Sequence, residues 1–314
     1  QTVKVKWYQF KIPLRGDSAT MKKVGNIRNF KSIRFARIYM TNFSQETHLR
    51  LATLNLVRGE WRNYTRGLYQ DIANNQYNIS NPYTTSGSMV VEAVNIEEHS
   101  NRTPVNYVLP PGVFRQTDPG QAQLIEQNEQ SMVFRFNHIA PKDACAVYKN
   151  VVYDMRQYKR LQMFVHAECL PQFQPINDKD ISCFIRIGSD IKNNYYEYEI
   201  PLNLTQEGQY NNDNIEDKNN VWRNQFDFDL SALTQAKMER NRAKRAGNTN
   251  VGNTIPYETY DPENLENKIT ILGNPTFKTV MDGVALIGSV IAVFLHKSSN
   301  TKFKTTDVSV TTNT

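Results

Sequence analysis

The 314 residues contain none of the short motifs that mark common active sites. There is no HExxH, no GxSxG, no GxxxxGK[ST] and no GxGxxG. Zinc-protease, serine-hydrolase, phosphate-loop and dinucleotide chemistry therefore lack their usual sequence support. The histidines His48, His99, His138, His166 and His296 are scattered, with no pair at metal-ligand spacing. Cys145, Cys169 and Cys183 fit no metal spacing either, and an odd number of cysteines forbids complete internal pairing. Cys169 and Cys183 are candidates to face one another on neighbouring strands; the simpler reading makes all three small, buried or half-buried residues. No charged-then-apolar leader opens the chain. The apolar run Val284–Leu295 spans 12 residues, too few for a spanning helix, which needs roughly 20. It suits a buried sheet strand or a membrane strand, and its lack of polar alternation favours the buried strand.

Two acidic groups, Asp178, Asp180 and Asp190, and Asp213, Glu216 and Asp217, have the chemistry of calcium ligands. Neither follows a calcium-loop spacing, and both read as solvated loop acids. The net charge is +6. Its one dense patch, Lys237, Arg240, Arg242, Lys244 and Arg245 within Ala236–Gly247, predicts a short helix. Without interleaved aromatics it reads as a solvated surface, not a nucleic-acid site. No catalytic, cofactor or metal residue is nominated.

What the chain does have is β-forming material. Aromatics make up 11% of it, with 16 Tyr and 15 Phe, and 39% is hydrophobic. At this length about two domains of ~150 residues are expected. Apolar residues alternate with polar ones over Phe30–Met40 and around Leu49, Leu51, Leu54 and Leu56, which predicts half-buried strands. Further strands are predicted at Met89–Ile96, Ser131–Phe136, Ala144–Tyr148, Leu161–Ala167, Cys183–Ile187 and Tyr195–Leu202. Pro13 and Pro201 belong at strand ends because proline cannot donate to a ladder. Arg102–Val113 reads as an extended, proline-directed path, and Asp118–Ser131 as a short helix capped by Asp118 with Pro119 in its first turn. Phe226–Arg240 combines a strand with a helix. Arg66–Ser88 reads as a linker or long loop, and Asn203–Asn220 as a mobile insertion.

The chain also echoes itself. WYQFKIPL at Trp7–Leu14 returns as YYEYEIPL at Tyr195–Leu202, and the element at Gly25–Met40 returns at Gly273–Gly288. A third echo links Arg156–Glu168 to Arg28–Met40. Matched elements in matched order imply a duplicated unit. The expected fold is mainly β: antiparallel β-sandwich units of jelly-roll or galactose-binding-like type, with long loops and a few short helices. Residues 1–75 are read as the C-terminal part of a truncated unit and 76–130 as an extended connection with a short helix. Residues 131–314 are read as a nearly complete second unit, with a polar insertion at about 203–267. A rival use of these aromatics is glycan binding, with Trp7, Trp61, Trp222, Tyr195, Tyr196 and Tyr198 offering stacking surfaces. Alternate strand residues point to opposite faces, so core packing must take some of the tyrosines.

Several long stretches resemble one family. WYQFKIPLR, FKSIRFARIYMTNF, LRLATLNLVRGEWRNY, VNIEEHSNRTPVNYVLPPGV, QLIEQNEQS, VYDMRQYKRLQMFVHAE, FIRIGSDIKNNYYEYEIPL and MERNRA follow one another as in the SprA/Sov family. The resemblance covers about residues 5–278 and departs after Phe277. That family supplies the giant outer-membrane translocon of the type IX secretion system, linked to gliding motility in Bacteroidota. The resemblance implies an internal, extramembrane segment at the outer membrane or cell surface, without catalysis and without a cofactor. Its implied partners are the remainder of the same large chain, outer-membrane and periplasmic components of the secretion complex, and secreted cargo proteins, with no nucleic acid. The alternative from the residues alone is a cell-surface carbohydrate-binding module.

Overall fold

The computed structural model describes residues 24, 37–48, 50–51, 61–71, 76–79, 88–117, 126–137, 143–151, 154–169, 176–189, 193–275, 289–297 and 308–313. The chain divides into two compact units, Gln1–Val57 and Arg58–Thr314. In the first, residues 37–48 and 50–51 form no strand, and Ile38, Tyr39, Met40, Phe43 and Leu51 are exposed. The alternation there predicts strands, but among the described residues no strand pairs with this stretch, and a lone strand leaves its ladder groups unpaired. Residues 30–36, 49, 54 and 56 of the same prediction lie outside the described residues, as do both copies' partners at Trp7–Leu14 and 276–288.

The second unit carries the fold. Its elements are β1 (Arg62–Asp71), β2 (Gln76–Ile79), β3 (Ser88–Asn95), α1 (Ile96–His99), β4 (Gln130–Asn137) and β5 (Asp143–Val151), then a 3-10 turn (Met155–Gln157). There follow β6 (Arg160–Cys169), β7 (Ile181–Gly188), β8 (Tyr195–Pro201), α2 (Ile215–Val221), β9 (Asn224–Asp229) and α3 (Leu230–Arg245). β10 (Tyr257–Asp261), β11 (Asn264–Leu272), β12 (Ser289–Lys297) and β13 (Val308–Asn313) complete it. One sheet has eight strands in the order β10-β11-β8-β7-β12-β5-β1-β2, and the other has five in the order β3-β4-β13-β6-β9. Every strand pair in both sheets is antiparallel.

One core joins the two sheets. Cys183, Ile185 and Ile187 of β7, Tyr196, Tyr198 and Ile200 of β8, and Ile269 and Ile271 of β11 come from the eight-stranded sheet. Phe134 and Phe136 of β4, Met163, Val165 and Ala167 of β6, and Phe226 and Phe228 of β9 meet them from the five-stranded sheet. The period-two spacing of each set is the reason: alternate side chains leave a strand on the same face. The mainly β, antiparallel expectation holds, and two sheets facing across one core is the arrangement a sandwich requires.

Most predicted strands form where expected, and Pro201 ends β8. The apolar run before Leu295 supplies β12, a central strand paired on both sides, to β5 and to β7. Asp229 caps α3 by accepting from the Ser231 N–H, so the strand-then-helix reading of Phe226–Arg240 also holds.

Other expectations need correction. Residues 126–131 are not helical: Glu126 bridges to Thr117, and Gln130 and Ser131 belong to β4. Arg115 draws in the Glu126 and Gln127 carbonyls, which a helix would use internally; residues 118–125 lie outside the described ones. Cys169 and Cys183 are not on neighbouring strands, because β6 and β7 belong to different sheets. Asn203–Asn220 is an ordered connection, tied down by side-chain amides: Asn106 Nδ2 donates to the Tyr210 carbonyl at 2.9 Å, and Asn212 Oδ1, one of the amides that made the stretch look mobile, accepts from Leu109 N at 2.8 Å. Arg66–Ser88, expected as a linker or long loop, instead carries most of β1 and all of β2, which join the eight-stranded sheet.

Candidate functional site

The outer face of the five-stranded sheet holds a cluster of buried polar groups, among them His166 and Glu168. On β6, Met163, Val165 and Ala167 face the main core, so Phe164, His166 and Glu168 face the other way. A second core covers them, built from Val105, Tyr107, Val108 and Leu109 of the proline-directed segment with Val221 and Trp222 at the end of α2, over Val94 and Val133 of the sheet. Trp222 stands edge-on to Tyr107 at 6.1 Å, and its indole Nε1 donates to the Val108 carbonyl at 2.9 Å. The Tyr107 hydroxyl meets Ser131 Oγ at 2.8 Å, and burial pushes its pKa up to about 12.

Inside this cover, Arg102 forms an ion pair with Glu168, whose side chain is 1% exposed. His166 Nε2 lies 3.3 Å from the same carboxylate, and Nδ1 lies 2.8 Å from the Val221 carbonyl. Thr205 Oγ1 is 3.2 Å from Nδ1. Hydroxyl, imidazole and carboxylate thus stand in the order of a nucleophile, base and orienting acid. The arrangement lacks what that chemistry requires. Nδ1 is held by the Val221 carbonyl and is not open to take the Thr205 proton, Arg102 already matches the Glu168 charge, and all three residues are buried. Burial, and then the nearby Arg102 charge, lower the His166 pKa to about 4, against the Val221 hydrogen bond that raises it.

A second buried cluster lies on the outer face of the eight-stranded sheet. Arg186 on β7 and Glu197 on β8 are cross-strand partners, with Nε to Oε2 at 2.6 Å. The Arg186 guanidinium lies 4.1 Å from the Tyr195 ring centroid, a cation–π contact. Glu199, next along that face, accepts from Ser182 Oγ at 2.5 Å and pairs with Lys268 of β11 at 2.7 Å. Burial would lower the Lys268 pKa, but the carboxylates of Glu199 and Glu197 raise it further than burial lowers it. Charges out of water demand partners of this kind.

The candidates from sequence are dispersed by the fold. Asp178 accepts from Leu204 N, Asp180 from Asn177 N and Asp217 from Asn211 N, while Glu216 lies in the first turn of α2; Asp190 lies outside the described residues. Among the described residues no three His, Cys, Asp or Glu side chains converge as metal ligands. His99 Nδ1 accepts from Asn95 N, and His48 is exposed beside Glu46. Cys145 and Cys183 are buried, and burial pushes the Cys183 thiol far above its ordinary range, so it is no thiolate nucleophile. The basic run lies on α3, where Arg240 turns inward and donates to the Gly273 carbonyl at 2.6 Å and Lys237 to that of Pro275 at 2.7 Å; Arg242, Lys244 and Arg245 are exposed. Of the aromatics with sugar-stacking chemistry, Trp222, Tyr195, Tyr196 and Tyr198 are buried and Trp61 packs against the main core. Trp7 lies outside the described residues. Sequence reasoning passed over Arg102, His166, Glu168, Arg186 and Glu197 as sites, because their pairings depend on strand register and on the fold of the loops and follow no recognised motif. The alternation of Arg186 with apolar Ile185 and Ile187 was the one available signal.

These features define a mainly β, antiparallel unit with the buried ion pairs Arg102–Glu168 and Arg186–Glu197 on its two sheets. Residues 1–308 match the family model SprA_N, described as a motility related/secretion protein, and the chain belongs to that family. No curated protein matches the chain. No helix among the described residues is long and apolar enough to cross a membrane, which says nothing of a β-barrel.

Proposed function

We propose that the chain is a non-catalytic structural segment of a large outer-membrane protein-translocation pore of the type IX secretion kind, serving gliding motility. The observation that carries this reading is the family match over residues 1–308. A structural role is supported by the two buried charge clusters, each engaged with its own neighbours. The segment stands outside the bilayer at the outer membrane or cell surface. Its contacts are the remainder of the same large chain, outer-membrane and periplasmic components of the secretion complex, and secreted cargo; neither nucleic acid nor a cofactor enters the reading. Burial of the tyrosines on β8 and of Trp222 leaves the carbohydrate-binding alternative without its main surface among the described residues.

The test places photo-crosslinking residues at Phe114 and Leu265, both exposed, in the full-length protein within cells. Adducts with outer-membrane components or with exported protein are expected. Recovery of the protein solely as a soluble, sugar-bound monomer would sink the proposal.

A further inference from the structure

The cover over the outer face of the five-stranded sheet comes from two segments more than ninety residues apart in sequence, and they are joined chiefly to each other. Val105 pairs with Gly208 in a parallel bridge, and Gly208 N donates to the Pro104 carbonyl at 3.0 Å. The Asn106 side chain closes a ring with Tyr210, donating to its carbonyl at 2.9 Å and accepting from its N–H at 2.7 Å. Asn212 Oδ1 accepts from Leu109 N at 2.8 Å, Trp222 Nε1 donates to the Val108 carbonyl at 2.9 Å, and Gln209 Nε2 donates to the Arg102 carbonyl at 2.9 Å.

The polar links from these residues down to the sheet are sparser. Among the described residues they are the Tyr107–Ser131 hydroxyl contact, the Arg102–Glu168 ion pair, the approach of His166 Nδ1 to the Val221 carbonyl, and a tie through Thr205, whose Oγ1 reaches the Asn220 and Val221 carbonyls while its N donates to the Ala167 carbonyl of β6. The apolar support differs in the same direction. Among the described residues the second core has eight buried side chains and the main core twenty-four.

We infer that residues 102–110 and 206–222 form a single strap that leaves the sheet as one cooperative unit while the two-sheet core stays closed. Their mutual hydrogen bonds make the opening of either segment alone costly, since it would break every link between them at once and leave the buried Trp222 Nε1 and Val108 carbonyl without each other. Opening both together exposes Phe164, Val133 and Val94 and releases Arg102 from Glu168. The inference rests on this bonding pattern and is independent of the proposed function.

The test is native-state hydrogen exchange on the 314-residue chain, read by mass spectrometry at neutral pH and low urea. Peptides from 104–110 and 206–222 are expected to share one opening free energy, below that of β7 and β8. Asn106→Ala is expected to speed exchange in both segments by the same factor, about tenfold for the loss of ~1.4 kcal/mol, with β7 and β8 unchanged. Should Asn106→Ala also remove protection from β7 and β8, Asn212→Ala makes the same comparison from the half-exposed end of the strap. Acceleration confined to one segment, or protection of either segment equal to that of β7 and β8, overturns the inference.

Discussion

The ring of Tyr198 lies flat on that of Phe228, with centroids 3.8 Å apart and planes 6° from parallel. The two residues belong to opposite sheets, β8 and β9, so this stack is a rivet through the core. The Tyr198 hydroxyl continues past it to Asp261 Oδ2 at 2.5 Å and accepts from Asn267 Nδ2 at 3.0 Å, tying the β10–β11 turn to the same point. Truncation to Phe228→Ala is expected to cost ~3–5 kcal/mol, as for other large aromatic deletions in cores. Tyr198→Phe keeps the stack and strands the buried Asp261, for about 1–3 kcal/mol. Urea denaturation of both variants checks the order; equal losses would show that the stack contributes nothing beyond the hydrogen bond.

Arg186 and Glu197 provide a sharper comparison, since both side chains are within 3% of full burial. Removing one partner alone, as in Arg186→Met or Glu197→Gln, is expected to destabilise by ~3–5 kcal/mol because the remaining group loses its charge partner inside the protein. The double variant Arg186→Met with Glu197→Leu is expected to be more stable than Arg186→Met, since no buried charge of the pair remains. Equilibrium unfolding of the three variants gives the coupling directly.

Gly273 follows β11 with φ of +71°, and a Cβ there would run into the Asn193 carbonyl oxygen. Its own carbonyl accepts from the buried Arg240, and Asn274 N donates to Asn194 Oδ1. Gly273→Ala therefore combines an unfavourable backbone region with a backbone clash, and should lower stability by more than ~1 kcal/mol. Gly247, also at positive φ but with nothing near its Cβ position, is the control and should tolerate alanine better. Thermal melts of the two variants decide this.

His166 predicts a pH dependence. Its folded pKa is lowered to about 4 by burial and Arg102, while the unfolded chain titrates near the ordinary value of ~6.5. Between those values the unfolded state binds a proton that the folded state refuses. Stability contributed by the neutral ring is therefore complete above about 6.5 and declines as pH falls toward 4. His166→Gln should flatten the stability–pH slope across that window. A slope unchanged in the variant would assign the dependence to other groups.

Strand positions were legible because period-two alternation is a local consequence of burying one face of a sheet. β4, β6, β7 and β8 all show it, and even the continuous apolar stretch leading into Leu295 could be read as an interior strand. The site was less legible. Arg102 reads as one basic residue before a proline path, and Glu168 as the polar end of a strand; neither carries any mark of the other. The loop amides misled for a related reason, since a residue such as Asn212 is polar in composition whether it faces water or a backbone N–H.

By itself, then, the sequence determined the β class, most of the strands, the ending of β8 at Pro201, the strand-then-helix of Phe226–Arg240 and the family, because each rests on neighbours in the chain or on long runs of characteristic residues. Only the tertiary structure decided which polar groups would be buried together. Arg186 with Glu197, Arg102 with Glu168 and Tyr198 with Asp261 are pairings across strands and loops, and sheet order and register bring them together. A charge or hydroxyl is tolerated inside only when its partner arrives from elsewhere, and one-dimensional spacing does not encode that arrival.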